Sequence, residues 1–251
     1  MKVEISNIPI SDYSDVEILQ SIEKSICERS KFSLCYVNVH TINVAQKTQD
    51  FFSTISQFTI IYPDGVGIYL ASKFLCFNAS SFFLGKNVTE FYHKLLELSE
   101  KKRWSIFILG EVEQILSSFQ NIIQKQYPHS TIVGFHHGFF QEDETPSILS
   151  SINQSKADIL FMAMGTPKQE LWFTENKKEI KIPVTCCVGG FISFVSGAKK
   201  RAPLWMRTIG LEWFYRLLQE PKRLWKRYII GIPLFVYYIL RQKITMWRSN
   251  L

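Results

Sequence analysis

Along the first two hundred residues, short apolar runs alternate with longer amphipathic stretches. Apolar runs at 33–39, 59–62, 104–109, 131–135, 158–164 and 184–188 predict strands, and residues 2–9 predict one more short strand. Between them, 3.6-residue periodicity predicts helices at 44–56, 66–76, 87–102, 112–126, 145–155 and 167–178. A further helix over 15–29 would place Val16, Leu19, Ile22 and Ile26 on one face. Runs such as "DILFMAMG" and "VTCCVGG" are continuously apolar, as parallel strands covered on both faces are. Strands alternating with helices predict an α/β fold: a Rossmann-like, doubly wound, mostly parallel sheet. In such sheets, ligands bind just beyond the carboxyl ends of the strands.

The pattern changes after about residue 198. From Lys199 to Leu251 there are 12 Lys and Arg against 2 Glu, so this stretch carries the chain's positive charge. The preceding residues together carry −3. We therefore divide the chain into an α/β core, 1–198, and a basic, partly apolar helical appendage, 199–251. Within the appendage, the uncharged run Tyr228 to Leu240 lies between two basic clusters. As a helix it reaches only about 20 Å, short of a hydrocarbon core of roughly 30 Å. Gly231 and Pro233 would weaken it as a regular helix. A buried core helix is one reading. The other is an interfacial segment with Trp225, Tyr228, Tyr237 and Tyr238 at headgroup level and its cations on an anionic membrane surface. A nucleic-acid partner is not expected, because the cations are interleaved with apolar residues.

The odd set of five cysteines, two of them adjacent on an expected strand, excludes a regular disulfide or zinc framework. The polar start Met1-Lys2-Val3-Glu4 shows no secretory signal, and a cytoplasmic protein is expected. His136 and His137 would point to opposite faces of a strand and so share no metal.

Polar residues cluster where the strands end. Thr41 and Asn43 of "HTIN" follow the strand at 33–39; they could serve a ligand or cap a helix. In "PDGVG", Asp64 is a carboxylate at the mouth of the sheet, suited to general-base work, or a turn residue. Gly65 would let a ligand approach the backbone. Lys168, Gln169 and Glu170 of "GTPKQELW" crowd a helix start, where a lysine makes sense beside a bound anion. No G-x-G-x-x-G or P-loop pattern occurs, and there is no D-x-D triplet to hold a metal-bound diphosphate.

Together, "HTIN" (40–43), "PDGVG" (63–67), "VGFHHGFF" (133–140), "MGTPKQELW" (164–172), "VGGFISFVSG" (188–197) and "KRAPLWMRTIGLEWFYRLLQEPKRLWKRY" (200–228) resemble the WecG/TagA/CpsF family of bacterial glycosyltransferases. The resemblance implies transfer of a sugar, N-acetylmannosamine-like or a related hexose, from a UDP-sugar to an undecaprenyl-pyrophosphate-linked sugar. It implies inversion, no metal and no other cofactor, and a place in cell-surface polysaccharide synthesis on the inner face of the plasma membrane. By the same resemblance, Asp64 is the catalytic base and Thr41 lies beside the reacting sugar, with Asn43 its neighbour. Gln169 is a site glutamine, and Arg216 and Arg223 contact the diphosphate, with Arg227 continuing their basic face. Two departures stand out. Phe82 and Asn87 occupy positions of a family Arg and Asp, and "LGE" at 109–111 replaces an expected "LGG". Lys86, or the appendage, would then supply the missing cation. A catalytically degenerate UDP-sugar-binding protein is the alternative, and the oligomeric state stays open, a homo-oligomer included.

Overall fold

The computed structural model describes residues 2–75 and 86–249; Cys76 and Phe82 lie outside them. The fold is α/β. Strands β3 (Phe32–Val37), β4 (Ile60–Pro63), β5 (Ser105–Gly110), β6 (Thr131–His136), β7 (Ile159–Ala163) and β8 (Val184–Cys187) form one sheet in the order β4-β3-β8-β7-β5-β6. Every pairing in it is parallel. Alternate residues feed two separate cores. Leu34, Ile108, Phe161 and Cys186 face one way, and Cys35, Leu109, Met162 and Cys187 the other. Burial on both faces is why these strands read as continuous apolar runs.

The expected strand over 2–9 is instead a hairpin. Strands β1 (Lys2–Ile5) and β2 (Ile8–Ser11) pair antiparallel. Ser6 and Asn7 both take positive φ, the geometry of a tight two-residue turn. Helix α1 (Asp15–Glu28) buries Ile22 and Ile26 of the expected face together with Ile18 and Ser25; Leu19 packs partly buried against this core, and Val16 is exposed. The helix expected over 44–56 begins earlier and breaks in two, α2 (Val39–Lys47) and α3 (Gln49–Ser56). Asn38 causes the early start: its side chain accepts from the His40 and Thr41 amides, and Thr41 completes a capping box. Thr48, in an extended conformation, makes the break.

The remaining core helices are α4 (Val66–Phe74), α5 (Val88–Lys102), α6 (Glu113–Gln126), α7 (Thr145–Gln154), α8 (Lys168–Asn176) and α9 (Phe191–Val195). Then come α10 (Leu204–Thr208), α11 (Glu212–Gln219) and α12 (Pro221–Trp225). A π-helical turn, Lys226–Ile230, joins α12 to α13 (Gly231–Ser249). Gly231 and Pro233 therefore do not break the segment. The wider turn lies just ahead of Pro233, where its missing amide and its ring would otherwise disturb an α-helix.

The helix Pro221–Arg248 is 28 residues long and meets the length and composition expected of a membrane-crossing helix, which the run Tyr228 to Leu240 alone does not. One side of it is committed to the protein. Leu224, Phe235 and Ile239 are buried, and Gln242 accepts from the Ser6 amide and donates to the Glu4 carbonyl. Burying each apolar side chain is worth about 1.5–3 kcal/mol. Tyr228 is buried as well, packed on Trp213, and does not reach the surface as expected. The opposite side exposes Trp225, Ile229, Ile230, Tyr237, Leu240, Ile244 and Trp247.

Candidate active site at the carboxyl ends of the strands

All six strands of the sheet end at one cavity of about 880 Å³. Its floor is Asn38 after β3, Asp64 and Gly65 after β4, Glu111 after β5, Gly138 after β6, Met164 to Thr166 after β7, and Val188 to Gly190 after β8. Its other wall comes from the C-terminal segment, including Arg207, Glu212, Arg216, Arg223 and Arg227.

Asp64 is half-buried, and both of its carboxylate oxygens are oriented. Oδ1 accepts from the Val88 amide at 3.0 Å and Oδ2 from the Asn38 side-chain amide at 3.3 Å. Burial raises its pKa above the usual carboxylate range; those two hydrogen bonds, and then Arg216 and Arg227, hold the rise in check. A carboxylate so held, facing a cavity, can accept a proton. Gly65 follows with φ +85° and donates its amide to the Lys86 carbonyl at 3.1 Å. A side chain would be strained there, so glycine lets the chain turn from β4 into α4.

The arginines are held quite differently. The Arg216 guanidinium lies 5.1 Å over the Phe194 ring. Arg227 stands 5.7 Å from the Tyr228 ring centre, and its buried Nε has no hydrogen-bond partner among the described residues. Burial lowers the Arg227 pKa, and Arg216 adds to that as a like charge. Arg223 is exposed and paired with Glu220. His40 also lines the cavity; burial, and then Arg227 and Lys47, push its pKa down to about 4, so it is neutral at neutral pH.

Three of the sequence-selected residues do not line the cavity. Thr41 is buried, and its hydroxyl donates to Asn38 Oδ1 at 3.2 Å, so it braces the residue that orients Asp64. Asn43 is buried and donates to the Gly231 carbonyl at 2.7 Å, fastening α13 to α2. Gln169 is fully buried, accepts from the Gly189 amide at 3.2 Å and donates to Glu170 at 2.8 Å. It fixes the β8 turn, where Gly189 has φ +52° and a Cβ would lie 2.2 Å from the Tyr36 hydroxyl.

The two sequence-selected lysines line the cavity but have their ammonium groups engaged. Lys168 donates to the Gly138 carbonyl at 2.8 Å and lies over the Phe140 ring, which accounts for a lysine at this helix start without an anion. Lys86 faces Asp15 at 3.8 Å, the Tyr13 carbonyl at 3.3 Å and the Tyr62 ring. Burial lowers its pKa, against the pull of Asp15. Asn87 caps α5 through the Thr89 amide and donates to Glu212 at 3.0 Å. An aspartate there would set a second carboxylate against Glu212, so the amide suits this surrounding. Arg201 and Arg207 both pair with Glu90.

Sequence reasoning missed Asn38, His40, Arg207 and Glu212. Asn38 carried the readable signal of an N-cap residue ahead of a helix; Glu212 and Arg207 reach the cavity only through packing. His136 and His137 also differ from expectation. His137 lies beyond the end of β6, and the two ring centres are 4.6 Å apart. Among the described residues, no group of three or more His, Cys, Asp or Glu is placed to hold a metal ion.

The family model for "Glycosyl transferase WecG/TagA/CpsF family" matches residues 3–249. A Staphylococcus aureus (strain MW2) N-acetylglucosaminyldiphosphoundecaprenol N-acetyl-beta-D-mannosaminyltransferase is 30% identical over 245 residues, 96% of this chain and 93% of its own. The Bacillus subtilis (strain 168) enzyme of the same name is 30% identical over 240 residues, 95% of this chain and 91% of its own. The match therefore includes both the sheet that carries Asp64 and the helices that carry the arginines, and the chain belongs to the WecG/TagA/CpsF family of glycosyltransferases.

Proposed function

We propose that this glycosyltransferase moves N-acetylmannosamine, or a closely related hexose, from a UDP-sugar to a sugar linked through diphosphate to undecaprenol. The observation that carries the reading is the oriented Asp64 carboxylate, facing Arg216 and Arg227 across one cavity. The acceptor hydroxyl gives its proton to Asp64 as its oxygen bonds to the anomeric carbon. The bond from that carbon to the diphosphate breaks on the opposite face, its electron pair leaving with UDP. Displacement in one step inverts the anomeric centre. Arg216 and Arg227, with Arg223, meet the charge developing on the diphosphate, the task a metal performs elsewhere. EDTA should therefore leave the rate unchanged.

The assay is UDP release from UDP-N-acetylmannosamine with a lipid-diphosphate-linked N-acetylglucosamine acceptor. Asp64→Asn should lower kcat about 10²–10⁴-fold while UDP binding persists. The acid limb of the wild-type rate profile should fall above the usual carboxylate range, since the base must be ionised. Near-normal turnover by the variant would remove Asp64 from this role. Tight UDP binding without turnover in the wild type would favour a degenerate, sugar-nucleotide-binding member.

The exposed face of α13 supports peripheral attachment to the inner membrane surface. It combines Tyr237, Leu240, Ile244 and Trp247 with the nearby cations Arg241 and Lys243. Deleting the helix would also strip the core of Phe235 and Ile239, so surface changes are the cleaner probe. Replacing Tyr237, Leu240 and Trp247 by Ser should release the protein from anionic liposomes with little change in melting temperature. Undiminished liposome binding would sink the membrane reading.

A further inference from the structure

The end of the cavity remote from Asp64 holds a carboxylate that the proposed chemistry does not use. Glu111 follows β5 with φ +55°, a left-handed conformation that costs a residue bearing a Cβ. The other described non-glycine residues with positive φ have local structural duties. Ser6 and Asn7 turn the hairpin, Arg29 and Arg103 end helices, and Lys156 lies in the turn after α7. Among the described residues, Glu111 is the one of this group that lines the cavity.

Its surroundings impose the strain. The Glu111 amide donates to the Ala163 carbonyl at 3.3 Å, and its carbonyl accepts from the Gly138 amide at 3.0 Å. The residue before it, Gly110, passes so close to β7 that a Cβ would lie 2.3 Å from the Ala163 carbonyl carbon. The side chain is positioned too. The buried Ser193 hydroxyl donates to Oε1, and Oε2 has no hydrogen-bond partner among the described residues. Strain maintained by neighbours on both sides, in a cavity, marks a functional position.

The sheet order says which part of a ligand would meet it. Asp64 and Glu111 follow strands four inter-strand steps apart, roughly 19 Å at the usual strand spacing. Between them, after β8, Gly190 approaches the Arg216 guanidinium; a Cβ there would be 3.9 Å from it. With the reacting sugar at Asp64 and the diphosphate beside Arg216, the nucleoside falls over β7 and β5. Phe139, which is 72% exposed, lines the cavity at that end and offers a flat face to a base. An ionised carboxylate only accepts hydrogen bonds, and the paired hydroxyls of a ribose only need acceptors to be held.

We infer that Glu111 is a specificity-determining residue whose carboxylate accepts hydrogen bonds from the ribose hydroxyls of the donor nucleotide. The inference rests on the UDP-sugar reading above. Calorimetric titration of the full chain with UDP, 2′-deoxy-UDP and 3′-deoxy-UDP tests it. Wild-type protein should prefer UDP to at least one deoxy form by about 10-fold or more, as charge-assisted hydrogen bonds do. Glu111→Gln should weaken UDP by a similar factor and bring that ratio towards one. Glu111→Gly should show the same loss together with a higher melting temperature, because glycine adopts φ +55° without strain. Two changes in opposite directions separate recognition from a purely structural role. Variants that keep the wild-type ratio, or a wild type that binds UDP without preferring it, would overturn the assignment of Glu111 alone. Absence of saturable UDP binding by the wild type would overturn the donor reading itself, and this inference with it.

Discussion

The two walls of the cavity are organised to different degrees. On the sheet side, Asp64 has both oxygens hydrogen-bonded, its partner Asn38 is braced by Thr41, and the β8 turn is fastened through Gln169. On the helical side, Arg216 has a ring beneath it, and Arg227 leaves a buried Nε without a hydrogen-bond partner among the described residues. The difference follows from how each group is supplied. A residue at a strand end inherits the rigidity of a sheet buried on both faces. A residue on α11 or beyond inherits only the docking of those helices. The contrast suits the proposed division of labour, in which the base is preset and the cations complete their hydrogen bonding on an anion.

The strongest test of that contrast removes a cation. Arg227→Ala should cut kcat/KM about 10²–10³-fold, the usual loss for one transition-state charge contact. Because Arg227 also holds the Asp64 pKa down, the acid limb should move to higher pH. A shifted limb with an unchanged plateau would mean that Arg227 tunes the base and does not meet the diphosphate. Arg216→Ala carries the same expectation.

Next in size is a buried group under the preset wall. Glu170 is fully buried, and burial raises its pKa to about 7. It accepts from Thr166 and from Gln169, which holds the Gly189 turn. Its folded-state pKa lies above its unfolded value, so the native state binds more protons between about pH 4.5 and 7. Stability is therefore lost as pH rises through that window, by roughly 3 kcal/mol in all. Glu170→Gln should flatten this slope in denaturant titrations at pH 5 and pH 8. An equal slope in both proteins would show that Glu170 is not the group responsible.

The smallest expected effect lies where the two walls join. Asn43→Ala removes the bond to the Gly231 carbonyl and should destabilise by about 1–3 kcal/mol. It should also speed amide exchange in 226–240 more than in β3 or β4. Uniform exchange would mean that the helix is held mainly by Phe235 and Ile239.

The alternation of apolar runs and amphipathic stretches was sufficient for a parallel α/β sheet, because strands covered on both faces leave a continuous apolar signature, and the cavity lies at the carboxyl ends where such sheets place their ligands. Asp64 and Gly65 were legible as candidates from their place just beyond a strand, whereas Arg216, Arg223 and Arg227 were named only through the family resemblance; all five line the cavity. The hairpin at Ser6-Asn7 was not read, since it rests on a two-residue turn that propensity alone does not reveal; the early start of α2 was missed although Asn38 is a favoured N-cap residue.

Sequence by itself determined the class of fold, the basic segment and the family. Tertiary structure decided which polar residues face the cavity and which support those that do. Thr41, Asn43 and Gln169 carry the chemistry of ligand-binding side chains, yet each spends its hydrogen bonds on protein backbone or on a neighbouring side chain. Which face of a helix turns inward, and how near a distant strand passes, depends on packing between elements far apart in the chain. That is why Arg207 and Glu212 came into view only when the strands and the C-terminal helices were brought to one cavity.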